Sequence, residues 1–245
     1  MCATPPAGTN WSAVTELVYG RRPVFEALRG RREVGRVWCT RRSRESLEWL
    51  PERALVEAPE RLGARAGSEE HQGVVAEVAP YPYAAVAEVM AGERPLAVAL
   101  DEVTDPHNLG AVARVAECAG AGGLVLTRRR SAAVTAAVCR ASAGAVEHLR
   151  IARVENLADF LIAAKRPGLW SYAAAASAGT AYDIGDYRDG AVFVLGAEGR
   201  GLRPRVRSSC DQAVSIPLGG RVDSLNVSTA AAVLLFEARR QRGDG

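Results

Sequence analysis

Three short segments of this 245-residue chain carry polar side chains of the kinds that orient a substrate and stabilise developing charge. The segments read DEVTDPHNLGAVARVAECAG, LGAEGRGLRP and IPLGGRVDSLNVSTA. Their candidate catalytic residues are two amides, a guanidinium, a carboxylate and a hydroxyl: Asn108, Arg114, Glu198, Ser224 and Asn226. The five cysteines show no C-x-x-C and no paired spacing, so we expect neither a metal site nor a disulfide framework.

Each segment follows an apolar run that predicts a buried parallel strand: LAVAL (96–100), AVFVL (191–195) and AVSI (213–216). In open α/β sheets, ligands bind beyond the carboxyl ends of the strands, so we expect the three loops to meet at one site. Apolar spacing predicts helices over 108–119 and over the sixteen residues 227–242, after the first and third loops.

The middle loop contains three glycines within six residues, at positions 196, 199 and 201. Glycine allows the backbone to take positive φ or to approach a ligand closely. A plain surface turn rarely needs so many glycines, so this loop favours ligand binding, with the carboxylate of Glu198 at the mouth of the sheet.

The same polar residues also have ordinary structural interpretations. Asn108 suits a helix N-cap, and Arg114 can pair with Glu117 on a solvated face one turn on. Either Ser224 or Asn226 can cap the final helix. A Rossmann dinucleotide-binding enzyme is disfavoured because no G-x-G-x-x-G follows the first strand.

Arginine dominates the positive charge of this chain, which has 31 Lys and Arg against 28 Asp and Glu. Lys165 is the only lysine, and nine arginines lie between Arg21 and Arg44. Arginine binds phosphate through a bidentate fork and stacks on bases, so the cluster favours RNA; coding bias in a GC-rich genome and a solvated basic surface are the alternatives. The candidate RNA contacts are Arg21, Arg22, Arg128, Arg129, Arg130 and Arg140.

Composition divides the chain into a flexible tail (1–14), a small mixed α/β domain (15–80), a Pro-containing linker (81–94) and a second domain (95–245). In the small domain, VTELVYGRRPVFEALRG and SRESLEWLPERA predict helices, whereas VGRVWCT and GVVAEV predict strands. Beyond it, strands alternate with helices, one of them over 132–141, which predicts a parallel sheet with both faces covered. With no apolar run near ~20 residues and no signal peptide, we expect a cytoplasmic protein without a membrane partner.

The three segments together resemble the SpoU branch of the SPOUT RNA methyltransferases, the TrmH-like ribose 2′-O-methyltransferases. The matching stretches are DPHNLGAVARVAECAG, VLGAEGRGL and IPLGGRVDSLNVSTAAAVLLFE, in the family's order and spacing. YGRRPVFEAL and HQGVVAEV extend the resemblance over residues 18–242. Within the family, the chain is most similar to the enzymes that methylate a guanosine of 23S rRNA.

The resemblance implies an α/β fold with two parts. The catalytic domain is expected to be a SPOUT domain, with a Rossmann-like parallel sheet and a deep trefoil knot at its carboxyl end. A small α/β domain similar to a ribosomal protein is expected to precede it and to bind RNA. The resemblance also implies a homodimer with each active site built at the subunit interface.

The resemblance further implies that the knot loops hold S-adenosylmethionine as the cofactor. Ser224 and Asn226 would face the reaction centre with Asn108 and Glu198, and Arg114 would come from the facing subunit. The implied cofactor-binding residues are Leu195, Gly196, Gly199, Ile216, Leu218 and Leu225.

The implied reaction is methyl transfer to a ribose 2′-hydroxyl of 23S rRNA, or of its assembling ribosomal particle, at a guanosine in the peptidyl-transferase region. Arg114 could remove the hydroxyl proton; alternatively it grips a phosphate while Glu198 or water takes the proton. The same chemistry on tRNA, or at an rRNA site that gives antibiotic resistance, is an alternative. A non-catalytic RNA-binding factor in ribosome assembly is an alternative of a different class.

Overall fold

The structure, a computed structural model, describes residues 15–197 and 199–243. The predicted tail over 1–14 and the candidate site residue Glu198 lie outside the described residues. The chain divides into two compact units between Pro82 and Tyr83.

The first unit is a four-stranded sheet with helices between its strands. Its elements are β1 (Glu16–Tyr19), α1 (Arg21–Arg29), β2 (Val34–Cys39), α2 (Arg41–Ser46), β3 (Leu55–Val56), α3 (Pro59–Ala66), a 3₁₀ helix (Glu69–His71) and β4 (Val74–Val78). The strand order is β1-β4-β2-β3, with β4 antiparallel to both neighbours and β3 parallel to β2. Trp38, Leu62 and Val75 form a buried cluster in this unit.

Both stretches predicted to contain helices in this unit are helical over only part of their length. In the first stretch, the residues before Gly20 form the strand β1, because Val18 is buried and β1 pairs antiparallel with β4. Only the residues of α1 are helical. In the second, α2 ends at Ser46, well before Pro51. Proline disfavours helical geometry in the residue before it, and the Arg44 guanidinium binds the main-chain carbonyl of Pro51 at 2.7 Å. The predicted strands VGRVWCT and GVVAEV are confirmed as β2 and β4.

The second unit is built on a seven-stranded, entirely parallel sheet in the order β7-β6-β5-β10-β8-β11-β9. Its strands are β5 (Leu96–Asp101), β6 (Gly123–Thr127), β7 (Arg150–Val154), β8 (Leu169–Ala174), β9 (Thr180–Ala181), β10 (Gly190–Gly196) and β11 (Gln212–Ser215). Its helices are α4 (Val86–Val89), α5 (Pro106–Cys118), α6 (Ala136–Ala141), a 3₁₀ helix (Ala145–Glu147), α7 (Leu157–Ala164), α8 (Pro204–Ser209) and α9 (Val227–Arg242). The predicted parallel sheet is confirmed.

Two stretches of the second unit differ from expectation. The segment predicted as a linker contributes α4, whose Val89 is buried in the core of the second unit together with Met90. The helix predicted over 132–141 begins only at Ala136. The preceding backbone bonds elsewhere, since the N–H of Ala132 donates to the carbonyl of Val103 and that of Val134 donates to the Tyr83 hydroxyl. Among the described residues, no helix is long and apolar enough to cross a membrane.

Helix α5 carries two candidate site residues and is fixed by close packing against α6 and α9. Gly110 of α5 lies so near α6 that a Cβ atom added there would stand 2.5 Å from the Cβ of Ala141 and 2.9 Å from the carbonyl oxygen of Val138. Only a residue without a side chain fits this contact, so Gly110 sets the distance between the two helices.

We predict that Gly110→Ala lowers the free energy of unfolding by about 1–2 kcal/mol. Overpacking costs about 1–3 kcal/mol, and contacts of 2.5 and 2.9 Å place this site at about 2–3 kcal/mol; the better helix propensity of alanine returns about 1 kcal/mol of it. Denaturant unfolding measures the change. Gly179→Ala is the matched control, because nothing lies within 4 Å of a Cβ atom there. Equal unfolding midpoints for the two variants would contradict the close packing.

Candidate active site

The three polar segments leave the same edge of the parallel sheet. Strand β5 ends at Asp101, β10 at Gly196 and β11 at Ser215. Asp101 and Gly196 are register partners in neighbouring strands, and β8 alone separates β10 from β11. The predicted convergence of the three strand ends is therefore confirmed.

A side-chain hydrogen bond joins the first segment to the third. The amide Nδ2 of Asn226 donates to Oδ1 of Asn108 at 2.9 Å, across 118 positions of sequence. Oδ1 of Asn226 accepts from the backbone N–H of Ser228 at 2.8 Å and from its hydroxyl at 2.6 Å, which fixes the orientation of the amide. Asn226 therefore caps α9 and also faces another site residue.

The start of α5 differs from the simple capping interpretation. Asp105 is the N-cap, since its Oδ1 accepts from the backbone N–H of His107 at 2.8 Å, and Pro106 begins the helix. Asn108 lies inside the first turn, so the prediction that it caps the helix is wrong. Its side chain contacts Asn226 instead.

The other two described catalytic candidates lie at the surface. Arg114 is exposed on α5, and within residues 15–197 and 199–243 no hydrogen bond or ion pair joins it to Glu117 or to another residue, so the pairing interpretation is not supported. Ser224 is exposed and its hydroxyl donates to Oδ1 of Asp223 at 3.2 Å. The structure therefore brings Asn108 and Asn226 together and leaves Arg114 and Ser224 facing solvent.

The glycine loop after β10 folds back on itself. The N–H of Gly201 donates to the carbonyl of Ala197 at 2.9 Å, and Gly199 between them takes a φ of 75°. A Cβ atom on Gly196 would stand 2.1 Å from the carbonyl carbon of Gly201, so no larger residue fits there. A Cβ atom on Gly199 would meet nothing within 4 Å, which leaves the outer side of the loop open to a ligand.

The predicted cofactor-binding residues present different atoms. Leu195 is buried, so only its main chain is available, and Ile216 is half-buried after β11. Leu218 and Leu225 keep 39% and 37% of their surface exposed, which is unusual for leucine beside a polar site. Exposed apolar side chains beside exposed backbone suit a flat, partly apolar ligand.

An ion pair between the buried Asp101 and the partly exposed Arg203, which local sequence patterns did not predict, holds the glycine loop. Asp101 is 1% exposed and accepts from Arg203 through the backbone N–H at 2.9 Å, Nε at 2.9 Å and Nη2 at 2.7 Å. The hydrogen bond to Asp101 raises the pKa of Arg203 above its usual value. The only sequence signals are an acid at the end of an apolar run and an arginine after the glycines.

Acidic partners also neutralise part of the Arg128–Arg130 cluster. Glu102, which follows Asp101, pairs with Arg203 at 3.3 Å and with Arg130 at 3.2 Å. Arg128 pairs with Glu155 at 3.0 Å. Arg129 is exposed. Two of these three predicted RNA contacts are thus held by carboxylates.

The remaining predicted RNA contacts are divided between the two units. Arg21 and Arg22 are exposed at the start of α1, and Nε of Arg21 donates to the carbonyl of Gln72 at 3.3 Å. Arg140 is half-buried in the last turn of α6. No group of three or more His, Cys, Asp or Glu side chains among the described residues could hold a metal ion.

Each of the two units matches a known protein family. The SpoU rRNA Methylase family matches residues 95–236, and the family described as RNA 2′-O ribose methyltransferase substrate binding matches residues 17–84. The first match contains the whole candidate site, and the second lies almost wholly within the first unit.

Similar proteins and structures agree with these matches. The 23S rRNA (guanosine-2′-O-)-methyltransferase RlmB of Burkholderia sp is 48% identical over 74% of this chain and 75% of its own length. The uncharacterized tRNA/rRNA methyltransferase slr0955 of Synechocystis sp. is 37% identical over 98% of this chain and 67% of its own length. The AdoMet complex of the SpoU methyltransferase AviRb from Streptomyces viridochromogenes superposes with a TM-score of 0.78 at 28% identity, covering 94% and 91% of the two chains.

The strand ends, the glycine loop and the paired asparagines thus lie in the part of the chain that carries the family match, and the chain belongs to the SpoU/TrmH family of RNA 2′-O-ribose methyltransferases.

Proposed function

We propose that this protein transfers the methyl group of S-adenosylmethionine to the ribose 2′-hydroxyl of a guanosine in the peptidyl-transferase region of 23S rRNA. The observation that carries the proposal is the Asn108–Asn226 hydrogen bond, because it joins two of the three polar segments at the sheet edge. The name of the RlmB relative supports the guanosine and the 23S rRNA, and the AdoMet in the AviRb structure supports the cofactor.

The residues at the sheet edge fit this cofactor. The main chains of Leu195, Gly196 and Ile216 would offer donors and acceptors to its polar ring atoms, and Gly199 leaves room for close approach. Leu218 and Leu225 would cover its apolar surface and exclude water. When bound, S-adenosylmethionine supplies a methyl group on a sulfonium, which is already activated for transfer.

The polar side chains would then align the hydroxyl and handle one proton. Asn108, Ser224 and Asn226 would hold the ribose through hydrogen bonds. A guanidinium stays protonated in proteins, so Arg114 would grip the neighbouring phosphate and stabilise the developing alkoxide rather than act as the base. Glu198 or water would take the proton.

The position of Arg114 supports a site shared between two copies of the chain. Arg114 lies six residues after Asn108, which places it about 120° around α5 and about 9 Å along its axis. The two side chains of one helix therefore point in different directions. We propose a homodimer in which Arg114 of one subunit reaches the site that contains Asn108 of the other.

We predict that Arg114→Ala lowers the turnover number by ~10²-fold or more, the usual effect of losing a group that stabilises charge or moves a proton. The affinity for S-adenosylmethionine, measured by calorimetry, should stay unchanged. Arg150→Ala is the matched control, since Arg150 is also exposed but lies at the amino end of β7, away from the site. Near-normal turnover in Arg114→Ala would remove Arg114 from the mechanism.

We predict that Asn226→Asp leaves the free energy of unfolding unchanged but lowers the turnover number about tenfold. Aspartate retains the oxygen that caps α9 but cannot donate to Oδ1 of Asn108, and one hydrogen bond of about 1.4 kcal/mol corresponds to about tenfold in rate. Asn226→Ala should additionally cost about 0.5–2 kcal/mol of stability through loss of the cap. Asn156→Asp, which changes the cap of α7, is the control. Wild-type turnover in Asn226→Asp would mean that the asparagine pair is structural only.

The target can be mapped with tritiated S-adenosylmethionine and unmodified 23S rRNA, followed by primer extension at low nucleotide concentration. We expect one stop, at a guanosine of the peptidyl-transferase region. A stop elsewhere, or label on tRNA instead, would keep the chemistry and replace the target. If no RNA is labelled although the protein binds the cofactor, the protein is a binding factor and the proposed transfer is wrong.

A further inference from the structure

Two sequence motifs of the first unit meet at one place in the structure. Arg21, from YGRRPVFEAL, donates through its backbone N–H to Oε1 of Gln72, from HQGVVAEV, at 3.0 Å, and through Nε to the Gln72 carbonyl at 3.3 Å. Gln72 takes a φ of 53°, a left-handed conformation that is costly for a residue with a side chain. Such strain persists only where surrounding contacts hold it, and it is common at binding sites.

A cavity of about 950 Å³ opens at this meeting point. This volume is within the range of about 300–1,000 Å³ that is typical of small-molecule sites. Thr40, Ser43 and Gly73 are among the residues that line it. Its whole lining belongs to the first unit, so the cavity belongs to the matched substrate-binding region and not to the candidate active site.

The cavity is cationic because its exposed arginines have no acidic partner among the described residues, whereas its carboxylate is paired with an arginine. Arg41 and Arg42 are exposed, and within the described part of the chain neither guanidinium group makes a hydrogen bond or ion pair. Glu57, the acidic residue of the lining, is held by Arg65 through hydrogen bonds of 2.8 and 3.3 Å. With Arg21, the cavity therefore presents three guanidinium groups and little opposing charge.

Part of the lining is an apolar wall formed by Val56, Ala58 and Pro59. Val56 keeps half of its surface exposed although it is apolar. Nδ1 of His71 accepts from the backbone N–H of Gly73 at 2.9 Å, so the ring carries its proton on Nε2 as a donor. An apolar wall, a ring donor and cationic guanidinium groups in one lining together match the base and the phosphate of one nucleotide.

We infer that this cavity binds a single unpaired nucleotide of the RNA substrate, with its phosphate on Arg41 and Arg42 and its base against Val56 and Pro59. Bases in a duplex are stacked and paired, so only a nucleotide turned out of the stack can place its base inside a cavity. The inference rests on the proposed action on RNA and adds the form of RNA that the first unit selects.

The test is RNA binding by the full-length protein without S-adenosylmethionine, measured by fluorescence anisotropy on a short single-stranded RNA and on a duplex of equal length. The double variant Arg41→Ala/Arg42→Ala should weaken single-strand binding about tenfold or more. Its salt slope should fall by about 0.7, since each neutralised phosphate of a single strand contributes about 0.7 and the two arginines share one phosphate. Arg29→Ala/Arg61→Ala removes the same charge from exposed positions of the same unit outside the cavity and should change the affinity less than about twofold.

A second variant separates a nucleotide site from a basic surface. Val56→Asp puts a carboxylate on the apolar wall and should weaken binding of the single strand while leaving the duplex unaffected. If the Arg41/Arg42 variant and its control lose equal affinity, or if single strand and duplex are weakened alike, the cavity is a general basic surface and the inference is wrong. Folding of each variant is checked by its thermal unfolding midpoint.

These outcomes are independent of methyl transfer. If the wild-type protein labels no RNA but its single-strand binding depends on Arg41, Arg42 and Val56, the proposed transfer fails and the nucleotide site stands. If the protein labels 23S rRNA and the cavity variants bind like their control, the nucleotide site fails and the proposed transfer stands.

Discussion

The buried carboxylate of Asp101 is the interaction on which the geometry of the site depends. A carboxylate removed from water is strongly destabilised unless hydrogen bonds replace its hydration, and Asp101 is almost completely buried at the end of β5. Arg203 supplies those bonds from its backbone N–H and two guanidinium nitrogens. Arg203 lies just after the glycine loop, so satisfying Asp101 forces that loop to turn back towards β5. The contact between Gly196 and the backbone of Gly201 is a consequence, because residues 197–203 must return within a short span.

The asparagine pair gives the third segment a comparable constraint. Many residues could cap α9, but the residue that does so, Asn226, also donates a hydrogen bond to Asn108. The start of α9 is therefore fixed relative to the start of α5. The two helices also pack together, and the Arg239 guanidinium donates to the carbonyl of Cys118 at 3.1 Å near the other end of α5. The Asn226 side chain therefore has two roles: its Oδ1 caps α9, and its Nδ2 binds the site residue Asn108.

The parts that the sequence predicted well are those in which a local pattern determines the structure. Continuous apolar runs predicted β5, β10 and β11, and the apolar spacing predicted α9 with both of its ends. The short helix predicted around α1 is confirmed, but the strand β1 before it was missed, because short strands and helices share apolar content and pairing with β4 decides between them. The Asp101–Arg203 pair spans 102 positions, so no local pattern could reveal it. The same holds for the cavity at Gln72, whose two motifs were visible only as family resemblance.

The distribution of paired and unpaired arginines indicates different tasks for the two units. Near the sheet edge, Arg203 and Arg130 share Glu102 and Arg128 is paired with Glu155, so these charges hold loops in place and little of their field is left for RNA. In the first unit, the guanidinium groups of Arg41 and Arg42 have no carboxylate partner in the part of the chain that the structure describes, while the charge of Glu57 is balanced by Arg65. Long-range attraction of a polyanion depends on unneutralised charge. The unpaired Arg41 and Arg42 can therefore attract RNA to the first unit, whereas in the second unit the paired arginines hold the loops and the exposed Arg114 and Arg129 remain available to phosphate.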